Sequence, residues 1–190
     1  MYSHKNGLVL RKVEEHDLQD LKALKQESWY ATHTTVFLND QDQQDWFFRN
    51  IKDHRSLTLI SEFENEAIGT YKIANIDPIS HTAQIGYDIY KSFRGQGLGY
   101  KIVEAGTAFA FEILNIHRCE AEVLSNNIAS SKVIEAAGFV LEGIKRKSIF
   151  KCGEYLDSKI YGILKEDWYV KNPVVANISY TPKDGKNWKS

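Results

Sequence analysis

Arg94-Gly95-Gln96-Gly97-Leu98-Gly99 stands where one sequence texture gives way to another. Before it, residues 82–90 alternate as a β-strand does. Behind it, residues 97–114 carry Ile102, Val103, Gly106, Phe109, Ala110 and Ile113 at helical spacing. Three glycines in five positions remove side chains and let peptide N–H groups approach a ligand closely. A helix opening directly behind them adds unpaired N–H groups and the positive end of its dipole. The run predicts a seat for a phosphate.

Upstream of the run, residues 57–63, 67–76 and 82–90 read as strands separated by Glu64-Asn65-Glu66 and Asp77-Pro78, which is an antiparallel meander. Earlier still, residues 8–13 read as a strand. Asp17 is placed to cap a helix through Gln26 with Leu18, Leu21 and Leu24 inward. A second helix from Asn39 or Asp40 buries Trp46, Phe47 and Ile51. Downstream, residues 118–124 set Cys119, Ala121 and Val123 on one side and Glu120 and Glu122 on the other. Asn127 is an N-cap for a helix over 128–137, with Ser130 at its third position and Gly138 just past its end. Residues 139–151 and 155–164 read as a hairpin. The order predicts an α/β fold of the α+β type: a mixed, mostly antiparallel twisted sheet with flanking helices. Its central parallel pair is 82–90 with 118–124, joined by a crossover helix. One domain over residues 1–170 precedes a polar tail or arm over 171–190, which holds Pro173 and Pro182.

The 190 residues are 43% hydrophobic with a net charge of −1, which suits one globular domain. Near-neutral charge argues against a nucleic-acid partner. No apolar run reaches the ~20 residues of a membrane span. The polar start Met1-Tyr2-Ser3-His4-Lys5-Asn6 does not read as a signal peptide. Cys119 and Cys152 are too few for a disulfide framework, and the chain reads as cytoplasmic with reduced thiols. The six histidines show no metal-ligand spacing.

Several readings of the glycine run compete. A P-loop needs G-x-x-x-x-G-K-[ST], which is nowhere in the chain. A dinucleotide fingerprint would use Gly95 and Gly97, but its last glycine is Tyr100, and the run follows a meander rather than opening a first βαβ unit. A bare strand-to-helix turn without a ligand is the plainest alternative.

The region resembles the GNAT superfamily of acetyl-CoA-dependent N-acetyltransferases, whose phosphate-binding pattern [RQ]-x-x-G-x-[GA] is filled by Arg94, Gly97 and Gly99. It is similar, more narrowly, to the branch named for the ribosomal-protein acetyltransferases RimJ and RimL. Ile85-Gly86-Tyr87 precedes the loop. Asn127 and Ser130 open a helix that ends in Gly138-Phe139. Glu142, Gly143, Arg146, Asp157, Tyr161 and Trp168 follow in the branch's order, and Leu10-Arg11 and Asp17 match weaker positions. The resemblance spans residues 8–168.

The resemblance implies acetyl-CoA as co-substrate, no metal, and direct attack of a primary amine in a ternary complex. The N–H groups of Gly95, Gln96, Gly97, Leu98 and Gly99 would meet the pyrophosphate beside Arg94, with Tyr100 a further contact. The pantetheine arm would lie along the strand at Ile89 and Tyr90. Asn127 would touch that arm, beside its plainer role as a helix cap. Many members place a Tyr acid just before the Glu of the last crossover helix; here Ile134 precedes Glu135. Ser130 is the substitute proton donor to the leaving thiolate. Asp88 and Glu122 are the candidate bases, each also readable as a solvent-facing strand residue. Trp29, Tyr30, His33, Tyr87 and Asp157 would shape the acceptor pocket, against a plainer reading of core packing for the aromatic residues. A protein or peptide N-terminal α-amine, a ribosomal protein's for example, is the leading acceptor. A polyamine, amino sugar or antibiotic is the rival, and a non-catalytic acyl-CoA-binding module is the non-enzymatic alternative. Dimers are common in the branch, so a homodimer is expected.

Overall fold

The computed structural model describes residues 1–29 and 39–173. Its strands are β1 Tyr2–Ser3, β2 Leu8–Lys12, β3 Leu57–Phe63, β4 Glu66–Asp77, β5 Thr82–Ile89, β6 Arg118–Leu124, β7 Val140–Lys151 and β8 Glu154–Leu164. They form one sheet in the order β1-β2-β3-β4-β5-β6-β8-β7. The β5–β6 pair is parallel and every other pair antiparallel, as the crossover predicts. The helices are α1 Leu18–Ser28, α2 Asp40–Lys52, α3 Leu98–Glu112, α4 Ile128–Ala136 and α5 Lys165–Lys171.

Alternation along the strands sorts the side chains into two faces. Tyr71 and Ile73 of β4, Ile85 of β5, Cys119, Ala121 and Val123 of β6, and Tyr161 and Ile163 of β8 pack with α3 in the main core. Burial pushes the Cys119 thiol up to about 12, so it is an inert core residue. On the other face, Leu21 and Leu24 of α1 meet Ile60 of β3 in a smaller cluster that Trp46 and Tyr90 flank.

Helix α3 is buried around more of its circumference than one stripe, with Ala105, Thr107 and Ala108 inside as well as Ile102 and Val103. Gly106 is what lets it lie so close. A Cβ there would sit 2.4 Å from three ring carbons of Tyr71, a fully buried ring whose hydroxyl hydrogen-bonds the Thr107 hydroxyl at 3.3 Å. Gly106→Ala gains about 1 kcal/mol of helix propensity. Overpacking against a ring that cannot move costs about 3 kcal/mol. A net loss of about 2 kcal/mol is expected in urea unfolding.

Some expectations change. Asp17 does not cap α1 with its side chain. Its carboxylate is held instead by the Arg11 guanidinium through two contacts of 2.7 Å, and it accepts the Glu14 N–H at 2.8 Å. Ile51 is exposed, because α2 turns Phe47 and not Ile51 toward the sheet. Helix α5 was not expected; it follows β8 directly and buries Trp168. The two-residue strand β1 was also not expected. Most of the proposed tail, residues 174–190, lies outside the described residues.

One outer edge of the sheet is β7, nearly all of it exposed. Its register with β8 breaks between Lys145 and Ile149, where Lys147 adopts φ 51°. The Asp157 carboxylate accepts the Lys147 N–H at 2.8 Å and pins that irregularity.

Candidate functional site

The parallel strands part company. Register pairs run from Thr82–Arg118 to Ile85–Ala121 and stop. Beyond them β5 stays on β4 as far as Ile89, while β6 stays on β8 as far as Leu124. A wedge opens between Gly86–Ile89 and Glu122–Leu124, bounded by strand edges that do not pair with each other. Crevices at the carboxyl ends of parallel strands are the ligand sites of open sheets.

The glycine loop closes one side of the wedge. After a single 3-10 turn at Lys91–Phe93, Arg94 is extended. Gly95 and Gly97 are left-handed at φ 77° and 76°, flanking Gln96. This alternation turns successive N–H groups to one side, an anion-binding nest. A Cβ on either glycine would meet nothing within 4 Å, so space lies open over both. Gly97 is the N-cap of α3 and has no side chain to satisfy the first turn. The Leu98 side chain is buried, which leaves only its backbone for a ligand.

Arg94 does not simply reach outward: its Nε donates to the Ile89 carbonyl at 3.1 Å and ties the loop to the end of β5. Gln96 donates to the Ser92 carbonyl at 2.8 Å. The Tyr100 hydroxyl donates to Glu104 at 3.3 Å along its own helix. Tyr90 is a correction. Its N–H donates to the Ile68 carbonyl at 3.0 Å and its carbonyl accepts the Phe93 N–H at 2.9 Å. Its ring packs in the α1 cluster. Burial, with Asp20, Asp17 and Glu27 nearby, pushes its hydroxyl up to about 12. No backbone group of Tyr90 is left to pair with an extended ligand; Ile89 is the last residue of the open edge.

Helix α4 closes the far side. The Asn127 side chain accepts the Ser130 N–H at 3.1 Å, the cap its sequence predicts. Tyr87 of β5 lies against the first turn of α3: a Cβ on Gly99 would lie 3.4 Å from its ring and 3.7 Å from Val133. Burial raises the Tyr87 hydroxyl above the ordinary tyrosine value. Tyr87 thus sits beside Gly99, at the start of α3. Ile134 is buried in the core and carries no acid.

The opposite face holds the candidate bases. Asp88 is 8% exposed and ion-paired to Lys25 of α1, with its Oδ1 buried and unpartnered. Glu122 accepts from Ser158 and pairs with Lys145 at 3.3 Å. Lys25 was missed, although it falls four residues after Leu21 on the inward stripe of α1. Ser158 and Lys145 lie on the final hairpin and have no local signal. Asp157 holds the β7 irregularity through the Lys147 N–H. Trp29 is exposed, with Lys151 Nζ 5.7 Å from its ring centre, so it lies beside the β7–β8 turn and not in the core. Tyr30 and His33 lie outside the described residues. Among the described residues, no cluster of three or more His, Cys, Asp or Glu could hold a metal, and no helix is long and apolar enough to cross a membrane.

Residues 7–140 match the family model described as "Acetyltransferase (GNAT) domain". The chain is 36% identical over 110 residues to "Probable N-acetyltransferase YjcK" of Bacillus subtilis, covering 57% of this chain and 61% of that one. It is 26% identical over 111 residues to the "[Ribosomal protein uS5]-alanine N-acetyltransferase" of Escherichia coli, covering 58% and 57%. The chain thus spans about three-fifths of the length of these relatives. In fold it is similar to the spermidine N-acetyltransferase of Vibrio cholerae, crystallised with CoA and spermine. That likeness has a TM-score of 0.82 at 23% identity, over 86% of this chain and 99% of that one.

Proposed function

The chain belongs to the acetyltransferase (GNAT) family, and from that premise we propose that it transfers acetyl from acetyl-CoA to a primary amine. The observation that carries this is the glycine nest standing at the end of β5, where β5 has parted from β6. Gly95 and Gly97 form the nest, Gly99 in the first turn of α3 lies beside Tyr87, and Tyr87 belongs to the part of β5 that no longer pairs with β6. Loop and helix N–H groups hold the pyrophosphate. The open edge of β5 at Tyr87–Ile89 pairs with the pantetheine arm as an added strand. An N–H on that edge polarises the thioester carbonyl. Ser130, at the wall of the wedge, delivers the proton to the leaving thiolate.

The acceptor is a protein or peptide α-amine, in keeping with a RimJ/RimL-like branch. Such an amine, with a pKa of ~7.7–8.0, is partly neutral near pH 7 and asks little of a base. The pairing of the nearby carboxylates supports this. Asp88 is compensated by Lys25, Glu122 by Lys145, and Asp157 is spent on the Lys147 N–H. A polyamine, the second reading, is raised by the likeness to the spermidine enzyme. It would need several uncompensated carboxylates for its several charges. Asp88 Oδ1 and Glu122 orient the incoming amine, whose proton passes to water.

Thiol release from acetyl-CoA, measured across N-terminal peptides, polyamines and aminoglycosides, tests the reading. Turnover with peptides and little with spermidine is expected. Binding of acetyl-CoA without turnover on any amine would leave a binding module. Ser130→Ala is expected to lower kcat at least tenfold with acetyl-CoA affinity unchanged; wild-type turnover would reduce Ser130 to a helix-turn residue.

A further inference from the structure

The sheet face that α1 and α2 cover holds an opening. Gly86 of β5 would turn a side chain to that face, because its neighbours Ile85 and Tyr87 pack toward the main core. A Cβ built on Gly86 meets nothing within 4 Å. Lys72 of β4 is its register partner, and Tyr71 and Ile73 point to the core, so Lys72 shares the face of Gly86. On the other flank, Glu122 of β6 follows the last parallel pair, Ile85–Ala121. One line across the sheet thus runs Lys72, Gly86, Glu122, with Asp88 two residues along β5. It is a bare floor with a cation on one side and carboxylates on the other.

Lys72 also borders a cavity of about 340 Å³. Trp46, Arg49 and Asn50 of α2 line it, with Asp53 and Ser56 of the connection to β3. Two cations there face one carboxylate, Asp53, whose Oδ1 already accepts the Arg55 N–H at 2.8 Å. Arg49 spends its Nε on the Asp45 carbonyl at 3.2 Å and leaves the rest of its fork unused among the described residues. The half-buried Lys72 ammonium makes no hydrogen bond or ion pair among the described residues. Burial, then the nearby Lys25 ammonium, lowers it from the ordinary lysine value, and Asp53 and Asp88 offset only part of this.

Resting on the acetyltransferase reading, we propose that Lys72, with Arg49 behind it, is a subsite for a carboxylate of the acceptor, which makes the preferred acceptor a peptide with an acidic second or third residue. Neighbouring strands lie ~4.8 Å apart, so Lys72 and Glu122 stand about 10 Å apart across Gly86. An extended peptide advances ~3.4 Å per residue. With its α-amine at Asp88 and Glu122 and its backbone over Gly86, it brings an early side chain to Lys72. The bare Cα of Gly86 is what leaves room for that backbone. A carboxylate at Lys72 gives a half-buried cation the partner it lacks. The same two cations repel a polyamine.

Acetyl transfer to matched tetrapeptides with Glu, Gln or Lys at the second or the third residue tests the subsite, using wild type, Lys72→Met, Lys72→Glu and Arg49→Gln. Wild type is expected to favour Glu over Gln at least tenfold in kcat/KM at one of the two positions, with the difference in KM, and to favour Gln over Lys. Lys72→Met should bring Glu and Gln within threefold, and Lys72→Glu should prefer Lys to Glu. Arg49→Gln, at an exposed position of α2, should lower the Glu preference without disturbing the sheet. Equal use of Glu and Gln by wild type at both positions overturns the subsite while transfer to peptides stands. A Glu preference that survives intact in folded Lys72→Met, or in Arg49→Gln should Lys72→Met not fold, also overturns it. A wild type inactive on every amine overturns transfer, and the subsite with it.

Discussion

Gly97→Asp is expected to weaken acetyl-CoA binding at least a hundredfold in a protein that still folds. Gly97 sits at φ 76°, where L side chains are strained, and its Cβ position faces open space. A carboxylate there is a good helix N-cap, so α3 itself should hold. That same carboxylate accepts the first-turn N–H groups a phosphate would use and places a negative charge beside them. Each charge-assisted hydrogen bond lost costs about 1.5–3 kcal/mol, and two of them exceed two decades of affinity. Gly97→Asn separates the causes, because Asn tolerates the left-handed region and caps without charge. Calorimetry with acetyl-CoA should rank wild type above Asn and Asn well above Asp. Equal affinity for folded Asp and wild type would remove the phosphate from this loop.

Lys25→Met is expected to cost about 3–5 kcal/mol of stability, because it strands the Asp88 carboxylate between α1 and β5. One oxygen of that carboxylate already lacks a partner, and Lys25 provides the other's ion pair. Adding Asp88→Leu to Lys25→Met should recover most of the loss, since an apolar pair of similar volume avoids the desolvation of two charges. Urea unfolding of the two single variants and the double variant closes the cycle. Full stability in Lys25→Met alone would show the pair to be solvated in solution. Turnover by the double variant then reports directly on Asp88: a stable but slow double variant assigns it a part in orienting the amine.

What the sequence made legible was local. Glycines at 95, 97 and 99, the Asn127 cap and the alternation of residues 118–124 each act within a few residues, and each lies where its spacing placed it. The β5–β6 crossover followed from chain order and handedness. Contacts made by folding were hidden. Tyr87, Gly99 and Val133 meet only because β5, α3 and α4 converge. Glu122 finds Lys145 and Ser158 on the last hairpin. Tyr90 was misplaced because its neighbour Ile89 ends the open edge, and one residue further the backbone is already bonded on both sides. Asp17 reads as a cap by type, but Arg11 reaches it first.

Unpaired strand edges are a hazard in any sheet, since a foreign chain can add to them and seed aggregation. This sheet treats two of its edges oppositely. The rim strand β7 is guarded: a register break, a left-handed Lys147 and the run Lys145-Arg146-Lys147 make it a poor template for another strand. The inner edge of β5 has no such guard. The first turn of α3 lies beside it instead, with Gly99 against the Tyr87 ring, and the proposed pantetheine arm would take up that edge as an added strand. The stickiness that elsewhere makes fibres is thus confined here to a slot, where it serves as selectivity.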